Sequence, residues 1–400
     1  MSTSGLALNN LRTAVIVIVL AVHSVMAYLG SSPASSFNFD APPYRWRAIP
    51  IVDPERWYGF DIFCAFQDIS LISLLFFLSG LFAWPSLARG GSSMFLRHRL
   101  LRIGVPFAMT VGLLMPLAYY PVYRVTAVDP GLVSYWRHWL ALPFWPAGPP
   151  WFLWVLLVFN VVAAGLFRFA GISADVLGRS IGQLGTRPKP FVIVLVSASA
   201  LAYAPLALAF TPWDWFQFGP FSFQFCRPLH YLVYFLAGAG VGAYGIGRGL
   251  LARDGWLACR WAAAGASAMV CFAFWLGMVG LAMAAGDGRP PLAVQILQAL
   301  GFVLCCAAGV LFMLALFLRF ADRRLAVLDP LKDKTYGLYL IHYVFSIWLQ
   351  YALLELAMFA VVKAVIVFAG TLLMSWASVV AFRRIPAIAW INRSWRRLTA

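Results

Sequence analysis

Apolar runs of about 20 residues recur from one end of this chain to the other, and each is long enough to cross a hydrocarbon core as an α-helix. Of 400 residues, 62% are hydrophobic and 11% are charged, against about 25% charged in soluble domains. A water-soluble fold could not cover that much apolar surface with so few charges. The runs lie at 11–30, 58–84, 103–122, 149–169, 190–210, 229–247, 261–284, 293–319, 336–354 and 357–382. The predicted fold is all-α: a polytopic transmembrane helical bundle of about ten spans. It forms one transmembrane domain over residues 1–400.

The net charge of +16 does not point to nucleic acid, because the basic residues fall in short clusters between apolar runs. With the N-terminus inside, 22 of the 30 Lys and Arg fall on the cytoplasmic side. Among them are Arg12, Arg89, Arg97, Arg99, Arg102, Arg248, Arg253, Arg323, Arg324 and the tail residues Arg393, Arg396 and Arg397. Arg45, Arg47, Arg56, Arg124, Arg137, Arg227, Arg289 and Lys363 fall outside or near outer ends. This asymmetry predicts N-in, C-in topology. The six cysteines have no paired spacing, so neither a disulfide framework nor a metal site is expected. The first run shows no cleavage site of a signal peptide. Apolar faces leave the oligomeric state open.

Ionisable groups within spans are functional suspects. Arg12 and His23 are eleven residues apart in the first run. They return to one helix face about 16 Å apart, with Arg12 near the inner surface and His23 deeper. Arg99 and Arg102, three apart, share a face at the entrance of the third span. Asp61 and Asp68 share a face of the second, and Asp68 needs a partner. Tyr339, His342 and Tyr343 line one side of the ninth. Outer loops are aromatic, as in Phe144-Trp145-Pro146, Trp151 and Trp213-Asp214-Trp215. Such residues anchor at interfaces, and their rings also suit stacking on sugars. The loop 31–57 is the longest outer segment and is expected to be irregular.

The combination resembles the acyltransferase-3 family of membrane enzymes. The resemblance rests on Arg12 followed by ten residues and His23, and on Arg99-Leu100-Leu101-Arg102-Ile103-Gly104-Val105-Pro106. It extends through Phe76-Phe77-Leu78-Ser79-Gly80, Trp151-Phe152-Leu153 and Tyr336-Gly337-Leu338-Tyr339-Leu340-Ile341-His342. Within the family the glucan biosynthesis protein C branch is the most similar. Asn9 and Asn10 stand where many members carry Asp before the first Arg, and Asn can still cap the helix.

The resemblance implies transfer of an acyl group from cytoplasmic acyl-CoA (acetyl-CoA or succinyl-CoA) to a hydroxyl of an extracytoplasmic glycan, a periplasmic glucan among the candidates. His23 would serve as general base or acyl carrier. Arg12, Arg99 and Arg102 would hold CoA phosphates, which suits the planar guanidinium. Asp68 would orient His23 or pair with an arginine. Tyr339, His342 and Trp151 would line the acceptor side, and Arg227 and His230, at an outer span end, could also touch the acceptor. No metal is expected. The partners implied are membrane lipids, acyl-CoA and the glycan, and the implied location is a bacterial inner membrane. The rival class is a polytopic transporter or flippase of a glycan or lipid-linked substrate, but no inverted repeat or matching pair of broken spans is found.

Overall fold

The structure is a computed structural model and describes residues 3–169, 171–211, 214–286 and 289–384. Trp213, Arg393, Arg396 and Arg397 lie outside the described residues. The chain is mostly helical. In order come α1 (Thr3–Val25), α2 (Tyr58–Gly80), α3 (Ala83–Arg99), α4 (Val105–Met109), α5 (Met115–Thr126), α6 (Leu132–Ala141), α7 (Trp151–Phe169), α8 (Gly171–Leu184) and α9 (Pro188–Ala209). A short hairpin of β1 (Trp215–Phe218) and β2 (Phe221–Gln224) follows. Then come α10 (Pro228–Tyr244), α11 (Trp256–Cys259), α12 (Trp261–Ala284), α13 (Leu292–Phe320), α14 (Asp329–Lys332), α15 (Thr335–Ala352) and α16 (Ala360–Arg384).

Among the described residues eight helices are long and apolar enough to cross a membrane, or nine if the bent pair Pro228–Tyr244 and Gly249–Cys259 is one span. The run expected at 336–354 is helical as α15 but stands outside that count. Tyr336, Tyr339, His342, Tyr343 and Gln350 interrupt its apolar character. Two segments differ from the sequence expectation. The inner loop expected before the third span is helical, and Ala83–Thr126 is one helical stretch of 44 residues. It includes π-helical turns at Leu100–Gly104 and Thr110–Leu114 and a break at Gly91, whose φ is 69°. Ala83 and Leu87, one turn apart before the break, and Phe95 beyond it are buried, so apolar positions support helix where charge alone suggested a loop. The aromatic outer loop near 215 is the antiparallel hairpin, with Phe216 stacked on its cross-strand partner Phe223 at 4.9 Å.

The chain's contacts group into two compact units, and α1 and α2 each contribute residues to both. Unit one comprises Met1–Arg12, Ala65–Ala108 and Pro150–Leu325. Here α13 is the most enclosed candidate span and α12, packed along it, the most exposed. Small residues set the packing of α10. A Cβ built on Gly238 would lie 2.1 Å from the Phe77 carbonyl oxygen, and one on Gly242 2.0 Å from that of Leu81. Only glycine lets the two backbones come this close, the packing logic of a small-xxx-small stripe. Asn10, buried within α1, donates to the carbonyls of Ala321 (2.7 Å) and Arg323 (2.8 Å). It therefore seals the end of α13, not the start of α1. The expected cap is corrected because α1 begins at Thr3, a full two turns earlier.

Unit two comprises Thr13–Cys64, Met109–Pro149 and Ala326–Ala400. The loop after α1 is irregular, as expected, apart from a 3₁₀ turn at Arg45–Arg47, yet it forms a core. Trp46 is fully buried, stacks on Phe39 at 4.7 Å and packs against Tyr119, with Tyr123, Tyr135 and Trp139 around them. These aromatics are thus core residues of the unit. Lys363 of α16 donates to both carboxylate oxygens of Asp53, at 2.9 and 2.7 Å, and both side chains are completely buried. The pair pins the loop to α16. Asp61 accepts from the backbone of Gly30 (2.7 Å) and Ser31 (3.1 Å), tying α2 to the end of α1.

Two outcomes follow for stability in detergent. Gly238→Ala should lower the thermal midpoint, by about 1–3 kcal/mol of overpacking, while Gly277→Ala, with open space around its Cβ position, should not. Equal midpoints would refute the close-packing argument. Asp53→Asn or Lys363→Met alone should cost roughly 3–5 kcal/mol by leaving a buried group unpaired, and the apolar double variant Asp53→Leu/Lys363→Met should recover much of it. Additive losses would refute the pairing argument.

Candidate functional site

In unit two α1 and α15 bring two imidazoles together. Nε2 of His342 lies 3.2 Å from Nδ1 of His23. Nδ1 of His23 is also 2.9 Å from the Val19 carbonyl, and Nδ1 of His342 is 2.7 Å from the Tyr339 carbonyl. Carbonyl oxygens only accept, so both Nδ1 atoms carry hydrogen. In neutral rings both Nε2 atoms then hold lone pairs. The His342 lone pair faces the His23 Nδ1–H, which it shares with Val19. The second ring thereby fixes the tautomer of the first and leaves Nε2 of His23 as the available base. His342 is fully buried, whereas His23 is half-buried.

The surroundings hold this arrangement. Tyr343 meets the His23 ring edge-on at 5.2 Å, and its hydroxyl is 3.4 Å from that of Tyr119. Tyr119 donates to the Arg47 carbonyl at 3.3 Å, which connects the loop after α1 to the histidine neighbourhood. Tyr339 donates to the Pro149 carbonyl at 2.5 Å. Gly148, with φ 55°, comes so close to Tyr343 that a Cβ there would lie 3.2 Å from its ring. Gln350 donates to the carbonyls of His23 (2.7 Å) and Ser24 (3.3 Å). His23 stands in the last turn of α1, where carbonyls lack intrahelical partners, so Gln350 closes the helix end that carries His23. The sequence analysis missed Gln350 and Tyr119. For Gln350 a signal existed: it continues the stripe of Tyr339, Tyr343 and Ser346 at helical spacing.

His23 and Arg12 change position relative to expectation because α1 starts early. His23 is near the end of its span and Arg12 nearer the middle. In unit one Arg12 and Arg102 are exposed and Arg99 is half-buried, with its guanidinium 4.9 Å from the Phe95 ring centre. Arg102 lies within the π-helical turn, so the α-helical argument that gave the two arginines one face does not carry over.

Asp68, also in unit one, binds Arg227 through both oxygens, at 2.8 and 2.5 Å. Arg227 is buried and also reaches Tyr231 at 3.3 Å, and the Asp68 carboxylate is about half exposed. Of the two roles expected for Asp68, this geometry is the arginine pair. His230, fully buried, faces the Cys306 sulfur at 3.3 Å. Trp151 packs near Trp215 and Tyr231. His138 pairs with Asp40 at 2.8 Å. Among the described residues no three His, Cys, Asp or Glu side chains converge as a metal site requires.

The chain also matches a family model described as an acyltransferase domain, over residues 6–380. No curated protein matches it, nor does any solved structure.

Proposed function

The chain belongs to the acyltransferase 3 family, and on that premise we propose that this multi-pass membrane acyltransferase moves an acetyl or succinyl group from acyl-CoA to a hydroxyl of an extracytoplasmic glycan. A periplasmic glucan is the acceptor that its likeness to the glucan biosynthesis protein C branch favours. The setting is a bacterial inner membrane with both termini inside.

The observation that carries the reading is the histidine pair: His342 Nε2 at 3.2 Å from His23 Nδ1, with both Nδ1 hydrogens on backbone carbonyls. His23 takes the acceptor hydroxyl proton at Nε2. The oxygen bonds to the thioester carbon, the carbon–sulfur bond breaks, and the proton returns from His23 to the departing CoA sulfur. While His23 is charged, the His342 lone pair and the Val19 carbonyl face its Nδ1–H and stabilise the imidazolium. His342 is a positioning residue in this scheme. Arg12, Arg99 and Arg102 serve the phosphates of the donor. Tyr339 and Trp151 belong to the acceptor side, and Asp68 acts through its arginine.

His23→Ala should lower acyl transfer by about 10²–10⁴-fold at equal expression, measured by mass spectrometry of acylated glycan made by membranes in cells lacking the native activity. His342→Phe should lower kcat by about tenfold or more with KM for acyl-CoA little changed. His342→Gln, whose amide oxygen can accept from His23 Nδ1–H, should retain more activity than His342→Phe. Full activity of His23→Ala would overturn the base assignment, and equal activity of the two His342 variants would overturn the tautomer argument.

A further inference from the structure

We infer that the loop between α10 and α11 in unit one is a phosphate-binding site that receives the phosphate-bearing end of the acyl donor. The inference rests on the acyl-CoA reading above. The loop runs Gly245-Ile246-Gly247-Arg248-Gly249 and on to Gly255. With Ser4 at the start of α1, part of it lines a shallow, open cavity of ≈ 640 Å³.

Three features make the cavity suitable for phosphate. First, Gly245, Gly247 and Gly249 hold φ of 124°, 94° and 55°, a region open to glycine and strained for other residues. Of these, Gly247 lines the cavity, while the Gly245 N–H donates to the Val241 carbonyl at 3.2 Å. Among the described residues the N–H groups of Gly247, Arg253 and Asp254 donate to no backbone carbonyl. Second, Arg248 is exposed on this cavity and has no ion pair among the described residues, so a planar five-donor fork is available. Third, the backbone comes close: a Cβ on Gly247 would lie 3.4 Å from the Ser4 hydroxyl oxygen. Any side chain there would occupy the cradle.

The other charges are accounted for. Arg253 pairs with Asp322 at 2.7 Å. Asp254 lines the same cavity, and its carboxylate opposes an anion. Arg323 and Arg324, beyond α13, are exposed. Because Ser4 lines this cavity, the loop shares an end of unit one with the N-terminus, the end from which Arg12 lies eight residues, about 12 Å, along α1. A donor whose adenosine 3′-phosphate is held here would extend its diphosphate toward Arg12. Anionic lipid headgroups carry the same phosphate chemistry, so the source has to be separated by experiment.

The test is binding of CoA and of adenosine 3′,5′-bisphosphate to the purified full chain in nanodiscs, of neutral lipid and of lipid containing an anionic phospholipid. In neutral nanodiscs Arg248→Gln should weaken both ligands about tenfold, the loss of one charge-assisted hydrogen bond. Arg248→Lys should fall between, and Asp254→Asn should tighten both. Arg248 and Asp254 are exposed, so these variants keep the fold, and thermal unfolding checks it. If wild type binds CoA and Arg248→Gln binds it equally, this inference fails and the donor reading survives. If Arg248→Gln changes only the stabilisation given by anionic lipid, the phosphate is a lipid's and the donor assignment fails. If wild type binds no CoA at all, the acyl-CoA reading itself falls, and this inference with it.

Discussion

Hydrocarbon offers no hydrogen bonds, so every polar group this chain carries into the bilayer must find its partner in protein. Most of the architecture follows from that requirement. Gln350 is buried in an apolar helix because the carbonyls of His23 and Ser24, at the end of α1, have no partner of their own. Asn10 does the same for α13. A completely buried Lys363 persists because Asp53 meets it with both oxygens. Each of these is a long-range contact made by a side chain that would be costly alone, and each fixes the rotation of a helix about its axis. Apolar faces specify helix rotation poorly, since lipid and protein offer them similar surroundings.

The same requirement shapes the chemistry. Two neutral imidazoles in a dry interior would compete for protons if their nitrogens were free. Here the Val19 and Tyr339 carbonyls hold both Nδ1 hydrogens, which leaves one arrangement of the pair and a single available lone pair on the more accessible ring. In the proposed mechanism the base is therefore defined by backbone geometry within its own two helices and needs no carboxylate. Asp68, the acidic residue the sequence offered for that task, meets a guanidinium instead.

Spans were legible because they depend on run length and composition, which are local. The run at 336–354 was legible too and is helical as α15, but its polar stripe keeps it out of the candidate spans. His23, Tyr339 and His342 were legible as polar residues in costly places, yet nothing in the sequence links a residue at 23 to one at 342, because that contact depends on how two helices pack. Arg227 as the partner of Asp68 was hidden for the same reason: 159 residues separate them. The starts of α1 and α3 were missed for a different one. Both begin in segments of low hydropathy, Ser4–Asn10 and Leu87–Arg99, where a hydropathy reading places a loop and helix propensity continues regardless.

Glycine serves two opposite ends in this chain, and position decides which. At Gly238 and Gly242 the backbone is helical, and the missing side chain lets another helix come within contact of it. At Gly245, Gly247 and Gly249, only a few residues later, the same residue takes positive φ and ends the helix in a loop that lines a cavity through Gly247. Glycines stand at 238, 240 and 242 and, after a step of three, at 245, 247 and 249. The alternation slips by one residue where the helix ends. The neighbourhood changes too: through Gly242 the carbonyls of Phe77 and Leu81 lie against the helical backbone, whereas a Cβ on Gly247 would meet the Ser4 side chain at 3.4 Å and one on Gly249 the Gly185 carbonyl at 3.2 Å. There positive φ ends the helix, and the Gly247 N–H, which donates to no backbone carbonyl among the described residues, stands beside Arg248.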